Sequence, residues 1–175
     1  ARIGRENGVD FVVALGGGSV MDAAKNMAMF IPQPSDNLWD YANSPSGGKM
    51  TPPNEMLPWI AITTSAGTGS EVTAFSVITD HSRDYKLTVF SYEILPAYAI
   101  LDADLITTAS ASVAAACGID AFIHAEEAYV STAASPFSDA MSEKAMALIG
   151  KNIRRFVANR GDIEAAEAMM VGSLF

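Results

Sequence analysis

Residues 9–30 read VDFVVALGGGSVMDAAKNMAMF, and this stretch decides the fold. Its first part, residues 9–15, is a continuous apolar run, which is typical of a strand buried on both faces of a parallel sheet. Three glycines, 16–18, end the strand, and the remainder predicts a helix over 19–30. A strand, a glycine turn and a helix in this order indicate an α/β nucleotide-binding domain.

The glycine turn has the physical features of a phosphate site. Glycine lets the backbone come close to an anion, and the first N–H groups and the dipole of the helix favour negative charge. Ser19 is expected to cap the helix, with Asp22 as the acid of a capping box, and Lys25 is expected to be solvated or paired with Asp22. The spacing is not G-x-G-x-x-G, so a tight turn without a ligand stays an alternative.

A second polar loop follows the strand predicted over 59–64. It reads SAGTGSE over 65–71 and offers hydroxyl groups beside two glycines. Such groups can bind ribose, pyrophosphate and the nicotinamide amide, although the same composition also occurs in loops without a ligand. Because open α/β sheets bind ligands in a crevice at the carboxyl ends of their strands, we expect the two loops to face one crevice.

The chain changes composition near residue 104. Before it, further strands are predicted over 72–80 and 85–90, as a hairpin, and over 97–102. Beyond it the sequence is Ala-rich and predicts three helices, which begin near Ser110, Pro136 and Asp162. We therefore predict a Rossmann-like α/β domain with a parallel sheet over 1–104, followed by the start of an all-α domain over 105–175.

Composition excludes several classes of protein. Half of the residues are apolar and 18% are charged, so a packed interior is expected. Twenty acids against 11 bases give a net charge of −9, which argues against nucleic-acid and membrane partners. Cys117 is the single cysteine, and it excludes an internal disulfide and a multi-thiolate zinc site. We expect it to be a buried structural thiol in a cytoplasmic protein.

Asp120 and His124 are the candidate metal ligands. They lie four residues apart in the segment GIDAFIHAEEAY, so on a helix they share a face. A carboxylate and an imidazole suit a divalent ion such as Fe(II) or Zn(II). An Asp–His hydrogen bond or a half-exposed helix face are the alternatives, and the other histidine, His81, is expected to face solvent in a hairpin turn.

Four segments together, GGGSVMDAAK, TTSAGTGSEVT, DADL and GIDAFIHAEEAYVS, resemble the iron-containing (group III) alcohol dehydrogenases, in particular the propanediol and lactaldehyde dehydrogenase type. The resemblance covers essentially the whole chain. It implies an NAD(P)-binding domain, an all-helical domain, a cleft that holds cofactor and metal, and a homo-oligomeric enzyme acting on a small alcohol or aldehyde. It also implies that the chain is a central fragment, which by itself lacks two further histidine ligands and is inactive.

The resemblance assigns roles to individual residues. Asp120 and His124 match the first two metal ligands and so the catalytic centre, with Fe²⁺ expected and Zn²⁺ as the alternative. The expected cofactor-binding residues are Gly17, Gly18, Ser19, Asp22, Thr64, Ser65, Thr68 and Lys86. The expected reaction is reversible hydride transfer between a primary alcohol or diol and NAD(P). A dehydroquinate-synthase-like cyclase on the same fold and a non-catalytic nucleotide-binding remnant stay as alternatives.

Overall fold

The structure is a computed structural model of the chain, and it describes residues 1–35, 37–43, 47–48 and 50–175. These residues form two compact units, one of residues 1–62 with 70–100 and one of residues 63–69 with 101–175. The second unit thus includes the loop after the strand at 59–63, which composition alone assigns to the α/β part. None of the helices in the described ranges is long and apolar enough to span a membrane.

The first unit combines a parallel sheet with a separate hairpin. Its elements are α1 (Arg2–Glu6), β1 (Val12–Gly16), α2 (Gly18–Phe30), α3 (Leu38–Tyr41), β2 (Trp59–Thr63), β3 (Phe75–Asp80), β4 (Tyr85–Phe90) and β5 (Tyr98–Ile100). The sheet has the order β1-β2-β5, and β2 pairs parallel with β5 through Ile60 and Tyr98. Strands β3 and β4 pair antiparallel from Phe75 opposite Phe90 to Asp80 opposite Tyr85, so the predicted hairpin is confirmed.

Helix α2 covers one face of the parallel sheet. Because side chains alternate along a strand, Ala14 of β1 and Trp59 and Ala61 of β2 point to the same side and are buried with α2 residues. The outward side chains of β1 are open to solvent, with Val13 51% and Leu15 61% exposed. The prediction that this strand is buried on both faces is therefore wrong for this chain.

The second unit contains three long helices, each of which begins within one residue of its predicted start. They are α4 (Ala111–Val130), α5 (Pro136–Ala158) and α6 (Ile163–Leu174). The hydroxyl of Ser110 accepts from Val113 N–H, and the carboxylate of Asp162 accepts from Ala165 N–H. At α5, Ser135 and Ser138 form a capping box and Pro136 takes the first helical position, where its missing N–H costs no helical hydrogen bond.

Small residues let these helices pack closely. The core is rich in alanine and methionine, with Ala145, Ala165 and Met169 fully buried. A Cβ atom on Gly118 of α4 would lie 2.7 Å from Met169 Cε and 2.9 Å from Ile153 Cδ1, so the glycine inside α4 makes room for its neighbours. The glycine inside this helix thus has a packing reason.

Candidate active site

The glycine turn leaves the start of α2 without a side-chain cap. Gly17, not Ser19, is the N-cap residue, because its extended backbone (φ −87°, ψ −170°) starts the helix at Gly18. Ser19 then falls at the second helical position and is exposed, so its predicted capping role is wrong. The uncapped first N–H groups of such a helix are the donors that bind an anion.

The turn is also tight, which explains the first of the three glycines. A Cβ atom at Gly16 would lie 2.6 Å from Cγ2 and 2.8 Å from Cβ of Val20. A side chain at this position would therefore collide with the first turn of α2. The sequence signals a close approach only through the glycine itself.

Asp22 anchors α2 instead of capping it. With Gly17 as N-cap, the acid position of a capping box falls on Val20, so the predicted capping role of Asp22 is wrong. Its carboxylate instead accepts from the Ser70 hydroxyl at 2.6 Å and from Val77 N–H at 3.1 Å. Two of its lone pairs are thus committed within the first unit.

Lys25 is the buried cation of this unit's polar interior. Its ammonium group has no exposed surface and donates to Ser70 Oγ at 2.9 Å, Thr73 Oγ1 at 3.2 Å and Phe75 O at 2.6 Å. It also lies 3.7 Å from Asp22 Oδ1. The predicted pairing with Asp22 is confirmed, and the alternative of a solvated lysine is wrong.

Burial lowers the pKa of Lys25 from 10.5 to about 8, although the charges of Asp22 and Glu71 oppose the shift. Between these two pH values the unfolded chain holds a proton that the folded chain has released, so this group makes folding more favourable as pH rises. We therefore compare the unfolding free energies of the wild type and of Lys25→Met. The difference, wild type minus variant, is expected to rise by up to about 3 kcal/mol as the pH increases from about 8 to 10.5. Denaturant titrations of both proteins at several pH values measure it, and a difference independent of pH would contradict it.

Residues 63–69, which contain most of the second polar loop, pack directly on α4. A Cβ atom at Gly67 would lie 2.8 Å from Cys117 Cβ and 3.0 Å from both Cys117 Cα and its carbonyl oxygen. The loop also closes on itself, because the Thr63 hydroxyl donates to Ser65 O at 3.0 Å and Gly69 has a φ of +60°. Glycine is therefore required at position 67 for space and at position 69 for its backbone conformation.

The cofactor candidates of this loop differ in exposure. Thr64 and Ser65 are half-buried and Thr68 is exposed. Cys117, below the loop, is partly buried rather than fully buried as expected. Burial and then the charge of Asp120 raise the pKa of its thiol, which disfavours the reactive thiolate.

Asp120 and His124 face each other on α4. The Oδ1 atom of Asp120 lies 3.6 Å from Nε2 of His124, and the side chains are 48% and 52% exposed. This distance is too long for the hydrogen bond that was the alternative to metal binding. Two ligand atoms on one tetrahedral ion, each at about 2.1 Å, stand about 3.4 Å apart, so this spacing suits a shared divalent ion.

The donor set fits an incomplete metal site. Among the described residues, no group of three or more His, Cys, Asp or Glu side chains is arranged to hold a metal ion. Asp120 and His124 therefore supply two donors of the types that Fe(II) and Zn(II) accept, and a stable site needs more.

His124 also lines a small pocket of about 90 Å³ in the second unit. Gly67 of the loop and Ser173 near the end of α6 line the same pocket. The hydroxyl of Ser173 is buried and has no hydrogen-bond partner among the residues that the structure describes, an arrangement that the sequence does not signal. The candidate metal ligand and the second polar loop thus meet at one pocket within one compact unit.

Lys86 and His81 lie on the hairpin of the first unit. Lys86 is exposed on β4 and pairs in register with Thr79 of β3. Its role near the cofactor stays a prediction. His81 is exposed in the turn between the strands, as predicted.

Two family models match the chain. The model described as iron-containing alcohol dehydrogenase matches residues 1–103, and the model of the C-terminal part of the Fe-containing alcohol dehydrogenase family matches residues 114–175. A probable alcohol dehydrogenase EutG of Escherichia coli is 40% identical over 169 residues, which are 97% of this chain and 41% of that protein. The NAD-dependent methanol dehydrogenase of Bacillus methanolicus is 41% identical over 94% of this chain and 42% of its own length.

Solved structures agree on the fold. A 1,3-propanediol oxidoreductase superposes with a TM-score of 0.89 at 35% identity, over 99% of this chain and 44% of its own. A sulfoacetaldehyde reductase from Bifidobacterium kashiwanohense, solved with NAD⁺, superposes with a TM-score of 0.90 at 35% identity, over 99% of this chain and 45% of its own. The chain thus spans less than half of the length of these relatives. The predicted fold class and resemblance are confirmed, and the chain belongs to the iron-containing alcohol dehydrogenase family.

Proposed function

We propose that the complete protein is a metal-dependent, NAD(P)-linked alcohol dehydrogenase that transfers hydride reversibly between a primary alcohol or diol and the cofactor. One observation carries the proposal. The predicted cofactor loop packs through Gly67 onto α4, one turn before Asp120, and lines the same pocket as His124. A cofactor loop beside a metal-binding helix is the arrangement that this reaction needs.

The relatives support the same chemistry. The names of two of them specify NAD-dependent methanol dehydrogenase and 1,3-propanediol oxidoreductase, and a third was solved with NAD⁺. The iron-containing family suggests Fe²⁺ as the metal, with Zn²⁺ as the second choice. Their substrates are small alcohols or aldehydes, and we propose a substrate of that class here.

The residues of this chain would bind and orient the reactants. The backbone N–H groups of Gly17, Gly18 and Ser19 would hold the pyrophosphate, because the start of α2 has no side-chain cap. In the second loop, the hydroxyls of Thr64, Ser65 and Thr68 would line the ribose and nicotinamide end of the cofactor.

Asp120 and His124 would hold the metal through one oxygen and one nitrogen. When bound, the metal supplies a Lewis acid for the alcohol oxygen, and the nicotinamide ring accepts the hydride. In the oxidation direction an alcohol and NAD(P)⁺ give an aldehyde, NAD(P)H and one proton. The aldehyde is the two-electron oxidation product of the alcohol, so no other oxidant is needed.

The test is alcohol-dependent reduction of the cofactor by the complete protein. Purified protein loaded with Fe²⁺ is mixed with NAD⁺ or NADP⁺ and a series of primary alcohols and propane diols, and NAD(P)H is followed by its absorbance. We expect reduction with at least one alcohol and its loss after a chelator removes the metal. Conversion of a sugar phosphate without net cofactor reduction, and no reaction with any alcohol, would instead indicate the cyclase alternative.

A further inference from the structure

The contact between α2 and residues 70–77 is polar and charged although it is buried. Asp22, Lys25 and Asn26 of α2 all bond to this segment, and Asn26 Nδ2 donates to Ser76 Oγ at 2.6 Å. Glu71, whose charge also acts on Lys25, is 2% exposed. The ammonium group of Lys25 therefore lies close to the partly buried carboxylate of Asp22 and within the field of the buried carboxylate of Glu71.

This arrangement is costly, because burial lowers the pKa of Lys25 to about 8. An ammonium group with that pKa is held charged at neutral pH against its desolvation penalty. A buried apolar side chain would avoid this penalty. Local costs of this kind occur most often at functional sites, so Lys25 calls for a functional reason.

The position of Asp22 supplies that reason. It stands four residues after Gly18 in α2, about 6 Å along the helix axis from that first residue. Helical side chains lean toward the N-terminus, which brings its carboxylate closer still. An uncompensated negative charge there opposes an anion at the glycine turn, because Coulomb repulsion at this range is large in a partly desolvated environment.

We propose that Lys25 is a positioning residue for the dinucleotide, whose ammonium group neutralises Asp22 and lets that carboxylate anchor α2 without repelling the cofactor's pyrophosphate. The inference rests on the proposed function, since it takes the glycine turn as the pyrophosphate site. The carboxylate of Asp22 anchors α2 through its bonds to Ser70 and Val77. Lys25 compensates for the negative charge of that carboxylate.

The charges around Lys25 give this role a defined pH dependence. Asp22 on α2 and Glu71 on the following segment favour its charged form. Among the other elements that pack against α2, β1 has no titratable side chain, and the Asp80 carboxylate of β3 bonds instead to Trp39 and Ser82. Tyr92 and Glu93, in the short helical turn after β4, are exposed. As pH rises through about 8, Lys25 loses its proton, Asp22 is left uncompensated and cofactor binding weakens.

The experiment measures the Kd of NADH and NADPH by fluorescence with the complete, metal-free protein at neutral pH. The variants are Lys25→Met, Asp22→Asn and the double variant, with Lys151→Met as the control because Lys151 is an exposed lysine on α5. We expect Kd to rise roughly tenfold in Lys25→Met, equivalent to about 1.4 kcal/mol. The double variant should recover most of this loss, with Asp22→Asn as its single-variant reference, and Lys151→Met should stay near the wild type.

Recovery in the double variant separates charge compensation from a structural role, because a second deletion from a merely structural network does not restore binding. The inference is overturned if Lys25→Met binds like the wild type, or if the double variant binds no better than Lys25→Met. Failure of the wild type to bind either cofactor would overturn the proposed function itself, and the inference with it.

A further measurement needs no variant and so does not depend on whether Lys25→Met folds. Because the anionic cofactor favours the charged lysine, wild-type protein should take up protons when it binds NADH near pH 8. Calorimetric titrations in buffers of different ionisation heat report this uptake. Binding near this pH without proton uptake would overturn the inference.

Discussion

Replacement of His124 by Ala in the complete protein is expected to remove the bound iron and alcohol-dependent cofactor reduction together, and Asp120→Ala should do the same. Each variant deletes one donor of a pair whose Oδ1 and Nε2 atoms stand 3.6 Å apart. Loss of an outer-sphere partner already weakens metal sites by about 10- to 100-fold, so loss of a ligand should exceed about 100-fold. Metal content after dialysis and turnover at limiting iron measure the effect.

Matched controls separate metal loss from general damage. His81→Ala removes the other histidine of these 175 residues, which is exposed in the hairpin turn, and Glu127→Ala removes an exposed acid from α4 itself. Both should keep iron and activity. Since His124 and Asp120 are half-exposed, their truncation leaves no large cavity and the variants should fold. Near-normal turnover of either ligand variant at limiting metal would refute the assignment.

Gly67→Ala is expected to displace the second polar loop from α4. The added Cβ atom would stand 2.8 Å from Cys117 Cβ and 3.0 Å from Cα and the carbonyl oxygen of the same residue. Helix backbone cannot move aside as the end of a flexible side chain can, so the loop must shift. Overpacking of this kind costs about 1–3 kcal/mol.

Two measurements should respond to this variant. The unfolding free energy should fall by about 1–3 kcal/mol. The Kd of NADH should rise, because Thr64, Ser65 and Thr68 belong to the displaced loop. Gly150→Ala is the control, since its Cβ atom would meet only Phe122 Cε2, at 3.8 Å, inside α5. It should be neutral or slightly stabilising because alanine favours the helix. Unchanged stability and cofactor affinity in Gly67→Ala would show that the loop does not depend on this contact.

Local sequence signals predicted the elements well because each had a local physical cause. Ser110, Ser135 and Asp162 cap the helices that follow them through hydroxyl or carboxylate oxygens. The hairpin followed from two β-rich runs around a polar turn. The N-cap of α2 was misjudged by two residues, because three consecutive glycines offer several possible N-caps and the choice depends on the backbone at Gly17.

Roles that depend on partners distant in sequence could not be predicted in the same way. Asp22 has the spacing of a capping acid, yet its carboxylate bonds to residues about fifty positions later. Gly67 stands in a segment typical of a flexible loop, yet it is required for space beside Cys117. The cofactor and metal roles of the site residues stay predictions until the variants are measured.

The sequence by itself determined the order and type of the elements, the family, and the placement of Asp120 and His124 on one helical face, because periodicity, caps and motifs act over a few residues. Only the tertiary structure decided that Lys25 is buried beside Asp22, that loop 63–69 packs on α4, and that one face of β1 is open to solvent. The physical reason is that burial, close approach and charge pairing depend on which distant segments the fold brings together.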